Sequence, residues 1–224
     1  TTPLYYQNSN HSHMNIFAVD EDPILAARAL PDKLVVKMPT ESIQMLCPWA
    51  FNTHQSLIAK PTGGHYGTKG FANHPCTKWQ YEDPANVAWL LLHAFGLAAA
   101  YTERYGKNHG VLPALLQLAN LFEEKHGLPS DQFKHHTPFA LAMPDEYKDE
   151  NDRVGSYRRY INCSKGYAVW RYTEPPKWWD VDLHRPCREE YLKLQESKKK
   201  SRKAKDEHQD VSTPVQSERE VRVS

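Results

Sequence analysis

Helix-start signals recur along this chain and constrain its architecture more than any other feature. Asp22-Pro23 and Asp83-Pro84 each put an acceptor side chain ahead of a proline at the first helical position. There the missing N–H costs nothing and the fixed φ already suits a helix. These pairs predict helices over about residues 23–30 and 84–105, with Gly106 suited to end the second. Pro31-Asp32 restarts the chain, and a helix is expected from there to about Trp49, kinked or split near Met38 by Pro39. Leu112-Pro113 opens a further amphipathic helix that ends at Gly127, and residues 151–163 read as another. Residues 14–19 are short and apolar, the one candidate strand. The expected class is mainly α: a compact helical single domain with at most a short N-terminal strand or small sheet.

Outside these elements the chain divides by composition. Residues 1–13 are polar and aperiodic and read as an extension or tag, and residues 14–193 form the expected helical domain. Residues 194–224 are charged and poor in apolar groups, so a disordered tail is expected. Gly63, Gly64, Gly67 and Gly70 lie in a loop expected over 52–75, which reads equally as a lid or binding loop and as a surface insertion. The apolar run 87–100 is interrupted by His93 and reads as too short to span a bilayer, so no membrane is expected as a partner.

Cysteine and charge set the chemical limits. Cys47, Cys76, Cys163 and Cys187 are widely spaced with no C-x-x-C pair, which favours reduced thiols and a cytoplasmic setting. Nine Lys/Arg and three Glu between residues 185 and 205 give that stretch +6, so the rest of a chain of net +1 carries −5. The domain is therefore less basic than one gripping long duplex DNA through many phosphates, and the basic stretch would supply nonspecific attraction. No metal-ligand spacing, phosphate-binding loop, dinucleotide fingerprint or nucleophile elbow is present, so no cofactor and no metal are expected.

Three polar clusters interrupt the apolar helical pattern. In the second helix Lys33, Lys37, Glu41 and Gln44 recur at steps of three or four and share one face. That face reads either as a solvated surface with ordinary i,i+4 pairs or as a carboxylate beside an amine available for imine chemistry. Asn73-His74-Pro75, with Trp79 one turn on, leaves the glycine-rich loop at a place suited to ligand contact. Arg104, Tyr105, Lys107 and His109 surround Gly106 at a helix C-terminus, where cations are favoured by the macrodipole and also suit phosphate. Tyr157 and Arg158 add an aromatic–cation pair of the kind that stacks on bases.

Asp32-Lys33-Leu34 followed by Glu41, with Asn73-His74-Pro75 after it, resembles the phage-type pyrimidine-dimer DNA glycosylases, the endonuclease V class. The resemblance covers about residues 14–107. It implies a mostly helical fold, Glu41 as the catalytic carboxylate, and DNA, as damaged duplex, for a partner. The implied activity is cleavage of the N-glycosidic bond at a pyrimidine dimer, followed by strand scission through an imine. The family's helix histidine corresponds to Leu34, and its nucleophile is the α-amine of a processed N-terminal Thr. Here Met14-Asn15 is a poor context for Met removal, which leaves Lys33 or Lys37 as the amine, or a relative without lyase activity. The expected catalytic residues are thus Glu41, Lys37, Lys33 and His74, and the substrate-binding ones Asn73, Trp79, Arg104, Tyr105, Lys107, His109, Tyr157 and Arg158. Two other classes remain open: a noncatalytic nucleic-acid-binding or interaction protein, and an enzyme acting on free nucleotides.

Overall fold

A computed structural model describes residues 14–210, with side chains to residue 202. It contains the helices α1 (Pro23–Arg28), α2 (Asp32–His54), α3 (Pro75–Glu82), α4 (Pro84–Tyr105), α5 (Leu112–His126), α6 (Pro129–Gln132), α7 (Arg153–Ser164) and α8 (Val181–Asp210). No strand occurs among the described residues, where the nearest thing is an isolated bridge between Ala59 and His65. The fold is mainly α, as the sequence pattern requires.

The two Asp-Pro starts act as their chemistry dictates. The Asp22 carboxylate accepts from the N–H groups of Ile24 and Leu25 at 2.8 and 3.0 Å, and that of Asp83 accepts from Ala85 at 2.7 Å. Helix α4 is the axis of the core, and α1, α2, α3 and α5 pack around it. It is long and apolar enough to cross a bilayer by length and composition, more so than the run 87–100 alone suggests. Within the fold, however, its apolar surface is covered, and Trp89, Leu90, Leu91, Ala94 and Leu97 are all buried. A Cβ on Gly96 would meet Ala27 Cβ at 2.8 Å and the backbone of Ile24 at 3.3 Å, so α1 lies this close to α4 only because residue 96 is glycine.

Helix α2 departs from expectation: it runs 23 residues to His54, without a break at Pro39 or at Pro48. Each proline removes a single backbone donor, and the surrounding burial of Leu34, Val35, Met38, Ile43, Met45 and Leu46 holds the remaining turns in place. The Ser42 hydroxyl also donates to Met38 O at 3.0 Å. The following loop therefore starts at Gln55, and Gln117 of α5 fastens it by bonding both the N–H and the C=O of Ala59.

Residues 14–19 are buried but make no strand. The Asn15 side chain accepts from the N–H groups of Ile16 and Phe17 at 2.7 and 2.9 Å and donates to Ala142 O at 2.8 Å, which replaces a sheet ladder. Phe17 sits at φ 41°, a left-handed conformation rare for a bulky residue, with its ring stacked on Tyr160 and edge-on to Tyr157. Helix α8 reaches Asp210, through part of the stretch expected as a disordered tail. Its run of Lys, Arg, Glu, Gln and Leu combines strong helix formers with oppositely charged neighbours one turn apart. Residues 1–13 and 211–224, the expected extension and the end of the tail, lie outside the described residues.

His93 lies in the middle of α4, stacked on Trp89 with ring centroids 4.8 Å apart. Neither ring nitrogen has a hydrogen-bond partner among the described residues, and burial pushes its pKa down to about 3. The unfolded chain takes up this proton below about pH 6.5, whereas the folded chain does so only near pH 3. Folding stability is therefore lost as pH falls through that window, by at most about 1.4 kcal/mol per pH unit for this one group. Urea unfolding at pH 7 and pH 4 checks this. His93→Leu should fold, and its stability relative to the parent should rise as the pH is lowered; a pH-independent difference would contradict the assignment.

Candidate active site

The polar face of α2 changes character along its length. Lys33 is exposed, Lys37 has a side chain 42% exposed, and the Glu41 side chain is 8% exposed. Lys37 Nζ lies 2.6 Å from Glu41 Oε1, the i,i+4 pair expected from the spacing. A simple solvated face would leave all three in water. Here Glu41 alone is covered by other parts of the chain, between exposed Lys33 and Gln44 at the two ends of the stripe, so Glu41 forms the floor of the candidate site and the two lysines its rim.

Residues 165–171 lie across the start of α2, and a buried ion pair fastens them there. Arg104 NH1 donates to Asp32 Oδ1 at 3.0 Å and to Leu30 O at 2.9 Å, while NH2 donates to Arg28 O at 2.9 Å. The other carboxylate oxygen of Asp32 accepts from Arg171 N–H at 2.9 Å, and Asp32 N–H donates to Val169 O at 3.0 Å. Trp170 Nε1 donates to Ala29 O at 3.2 Å. The end of α1, the start of α2, the last turn of α4 and this segment thus meet at one carboxylate and one guanidinium. Gly166 completes the arrangement. A Cβ there would lie 2.4 Å from Cys187 O and 2.5 Å from Tyr191 Cβ, and Arg188 of α8 donates to Gly166 O at 2.9 Å.

Lys165, at the end of α7, is the side chain that sequence reasoning missed. It is half-buried, with Nζ 2.7 Å from the Tyr160 hydroxyl, 4.0 Å from the Tyr160 ring centroid and 5.8 Å from that of Phe17. Among the described residues no carboxylate lies within ion-pair distance of it. Desolvation pushes its pKa down to about 8. The charge of Lys37 pushes the same way, and that of Glu41 opposes. Lys165, Lys37 and Glu41 are therefore electrostatic neighbours, although 124 residues separate Glu41 from Lys165. Lys33 lies on the same side, its Nζ 4.6 Å from the ring centroid of Tyr167. No local motif marks Lys165, because a lysine ending a helix is what the macrodipole favours anyway.

The other expected residues are scattered. His74 caps α3, its Nδ1 accepting from Cys76 N–H at 3.2 Å, and burial lowers its pKa. Neighbouring Cys76 is within electrostatic reach of Glu41, so the α3 N-terminus lies near the candidate site. Asn73 is exposed beside it. Arg104, expected to hold phosphate, is instead in the interior pair with Asp32, nine residues or about 13 Å of helix from Glu41. Trp79 packs on Trp89 and Phe139 and donates to Thr137 O, and Tyr157 is fully buried with its hydroxyl on Ala140 O at 2.5 Å. Neither ring reaches solvent for stacking on a base. Arg158 holds Val19 O through Nε at 2.8 Å and lies over Trp178.

Tyr105, Lys107 and His109 occupy a separate place. Tyr105 packs between Tyr101 and Tyr172, and Lys107 is exposed. His109 Nδ1 accepts from Val111 N–H, so Nε2 carries the proton it shares with Val36 O at 3.1 Å. His109 also borders two open clefts of about 380 and 540 Å³, the larger lined in part by Lys60, Tyr66 and Pro113. Neither cleft contains Glu41, and the chemistry of the α2 face locates the candidate site better than cleft size does.

Other groups have little to offer as nucleophiles or ligands. Burial pushes the thiols of Cys47 and Cys76 up to about 12 and that of Cys187 to about 11, so none is a thiolate near neutrality. Among the described residues no group of three or more His, Cys, Asp and Glu converges as a metal site would.

Removing either partner of the interior pair leaves an uncompensated charge. Arg104→Ala or Asp32→Ala should lower the unfolding free energy by roughly 3–5 kcal/mol. Urea midpoints measure it, and a loss below about 1 kcal/mol would mean that residues 169–171 are fastened by something else.

Residues 14–112 match the family model described as pyrimidine dimer DNA glycosylase. That stretch includes Glu41, Asn73 and His74 and stops short of Lys165. No curated protein and no solved structure matches the chain.

Proposed function

With residues 14–112 related to the pyrimidine dimer DNA glycosylases, we propose that this protein excises damaged pyrimidines from duplex DNA, with Glu41 as the catalytic carboxylate, and then cleaves the strand through an imine. The observation that carries the reading is the placement of Glu41. Its carboxylate is held in a low-dielectric floor, 2.6 Å from the Lys37 ammonium and close to a second amine. Breaking an N-glycosidic bond develops positive charge on the deoxyribose ring, and a desolvated carboxylate stabilises that charge better than an exposed one. The same carboxylate then suits removal of a sugar proton.

Lys33 and Lys37 face solvent at the rim and suit the phosphates that flank a damaged base. The exposed Asn73 and the capping His74 border the site from α3 and suit polar contact with an extruded nucleotide. Tyr105, Lys107 and His109, in their separate patch, suit more distant strand contacts. The working compartment that accompanies this reading is the cytoplasm, the host's if the protein is phage-encoded.

A second reading has its own support. The exposed basic part of α8 gives the protein a means of holding nucleic acid that needs no catalysis. Ending the chain after Lys193 separates the two. Lesion-dependent cleavage that persists favours the enzyme; binding that vanishes from a folded domain devoid of cleavage favours the module.

Glu41→Gln keeps the shape of the side chain and removes its charge. Base release from a duplex carrying one thymine dimer should fall at least 100-fold while the circular dichroism melt stays within a few degrees. Turnover like that of the parent would remove Glu41 from the mechanism.

A further inference from the structure

The family's amine is an N-terminal one, and Lys37, the nearest amine to Glu41, is engaged with it in an ion pair. An ion-paired ammonium has no lone pair with which to attack carbon. A nucleophilic amine needs the opposite setting: dry surroundings, no carboxylate partner, and a carboxylate near enough to handle protons. Lys165 meets the first two in its aromatic surroundings, and the charge of Glu41 is felt at its amine. Its Nζ rests on the Tyr160 hydroxyl at 2.7 Å and against the rings of Tyr160 and Phe17, and no carboxylate among the described residues pairs with it.

We infer that Lys165, supplied by the part of the chain beyond the glycosylase-related segment, is the amine that bonds to deoxyribose C1′ in the site floored by Glu41. The inference rests on the glycosylase reading and adds the nucleophile to it. The neutral Nζ adds to the C1′ aldehyde of an abasic sugar. With uptake of one proton the sugar oxygen leaves as water, and a positively charged imine links Lys165 to the DNA. The Glu41 carboxylate removes a C2′ proton. The C3′–O bond then breaks, its electron pair leaving on the 3′ phosphate. No oxidant or reductant enters. The groups facing Lys165 are Lys37 and Glu41 from α2, Tyr160 from its own helix and Phe17 from the N-terminal segment. With a pKa of about 8, roughly one molecule in ten carries the neutral amine at pH 7. Imine formation should therefore rise with pH and level off above about 8.

Borohydride trapping on a duplex with one abasic site tests this, with base release from a thymine-dimer duplex measured in parallel on the full chain. The parent protein should form a covalent adduct that maps by mass spectrometry to the peptide containing Lys165. Lys165→Arg keeps the positive charge and the length of the side chain but offers no amine to form an imine. It should lose at least 100-fold in trapping while its melting temperature and its affinity for undamaged duplex hold, and whatever adduct Lys37→Ala forms should still map to Lys165. An adduct on another amine, or trapping by Lys165→Arg equal to that of the parent, overturns the assignment and leaves the glycosylase reading standing. Base release without any adduct does the same. Absence of both base release and adduct on every duplex overturns the reading and the assignment together.

Discussion

The Asp32–Arg104 pair is the interaction on which the rest of the arrangement depends. It is interior, and its value lies less in net stability than in what it orients. Arg104 takes up two carbonyls at the end of α1, and Asp32 accepts from a backbone N–H of the segment after α7. Through these bonds a stretch far along the sequence is laid across the start of α2. Without that covering, the Lys33–Lys37–Glu41 stripe would be an ordinary wet helix face, where an ion pair contributes little.

The same contact brings the segment matched by the family model against a distant one, and the proposed site draws on both. Residues 14–112 supply the carboxylate and the α3 border, and residues 165–171 supply the dry wall and a lysine. The N-terminal stretch also reaches Lys165. Phe17, held at positive φ by the Asn15 side chain, presses its ring toward Lys165. A bulky residue in that conformation costs on the order of 1–3 kcal/mol, and such strain collects where geometry matters to function.

Much of the fold was legible because its signals are local. Asp-Pro starts, the glycine after α4 and the apolar periodicity of α4 and α5 need no knowledge of the rest of the chain. The persistence of α2 past Pro39 and Pro48 was not legible, because tertiary burial decided it. Nor was the role of Arg104. A cation at a helix C-terminus reads the same whether it meets phosphate or a carboxylate in the interior. Trp79 and Tyr157 misled for a related reason: aromatic residues near cations suggest stacking, but their rings fill the core. The Glu41–Lys37 pair follows from spacing alone, whereas Lys165 enters only through the fold.

The central claim is that Glu41 and Lys165 share one desolvated site. The direct measurement is an NMR titration of the Lys165 side chain, made in the parent protein and in Glu41→Gln. The account predicts a midpoint near 8 in the parent and a lower one in the variant, because removing the carboxylate removes the charge that favours the ammonium. A midpoint like that of a free lysine, unchanged by the substitution, would contradict it.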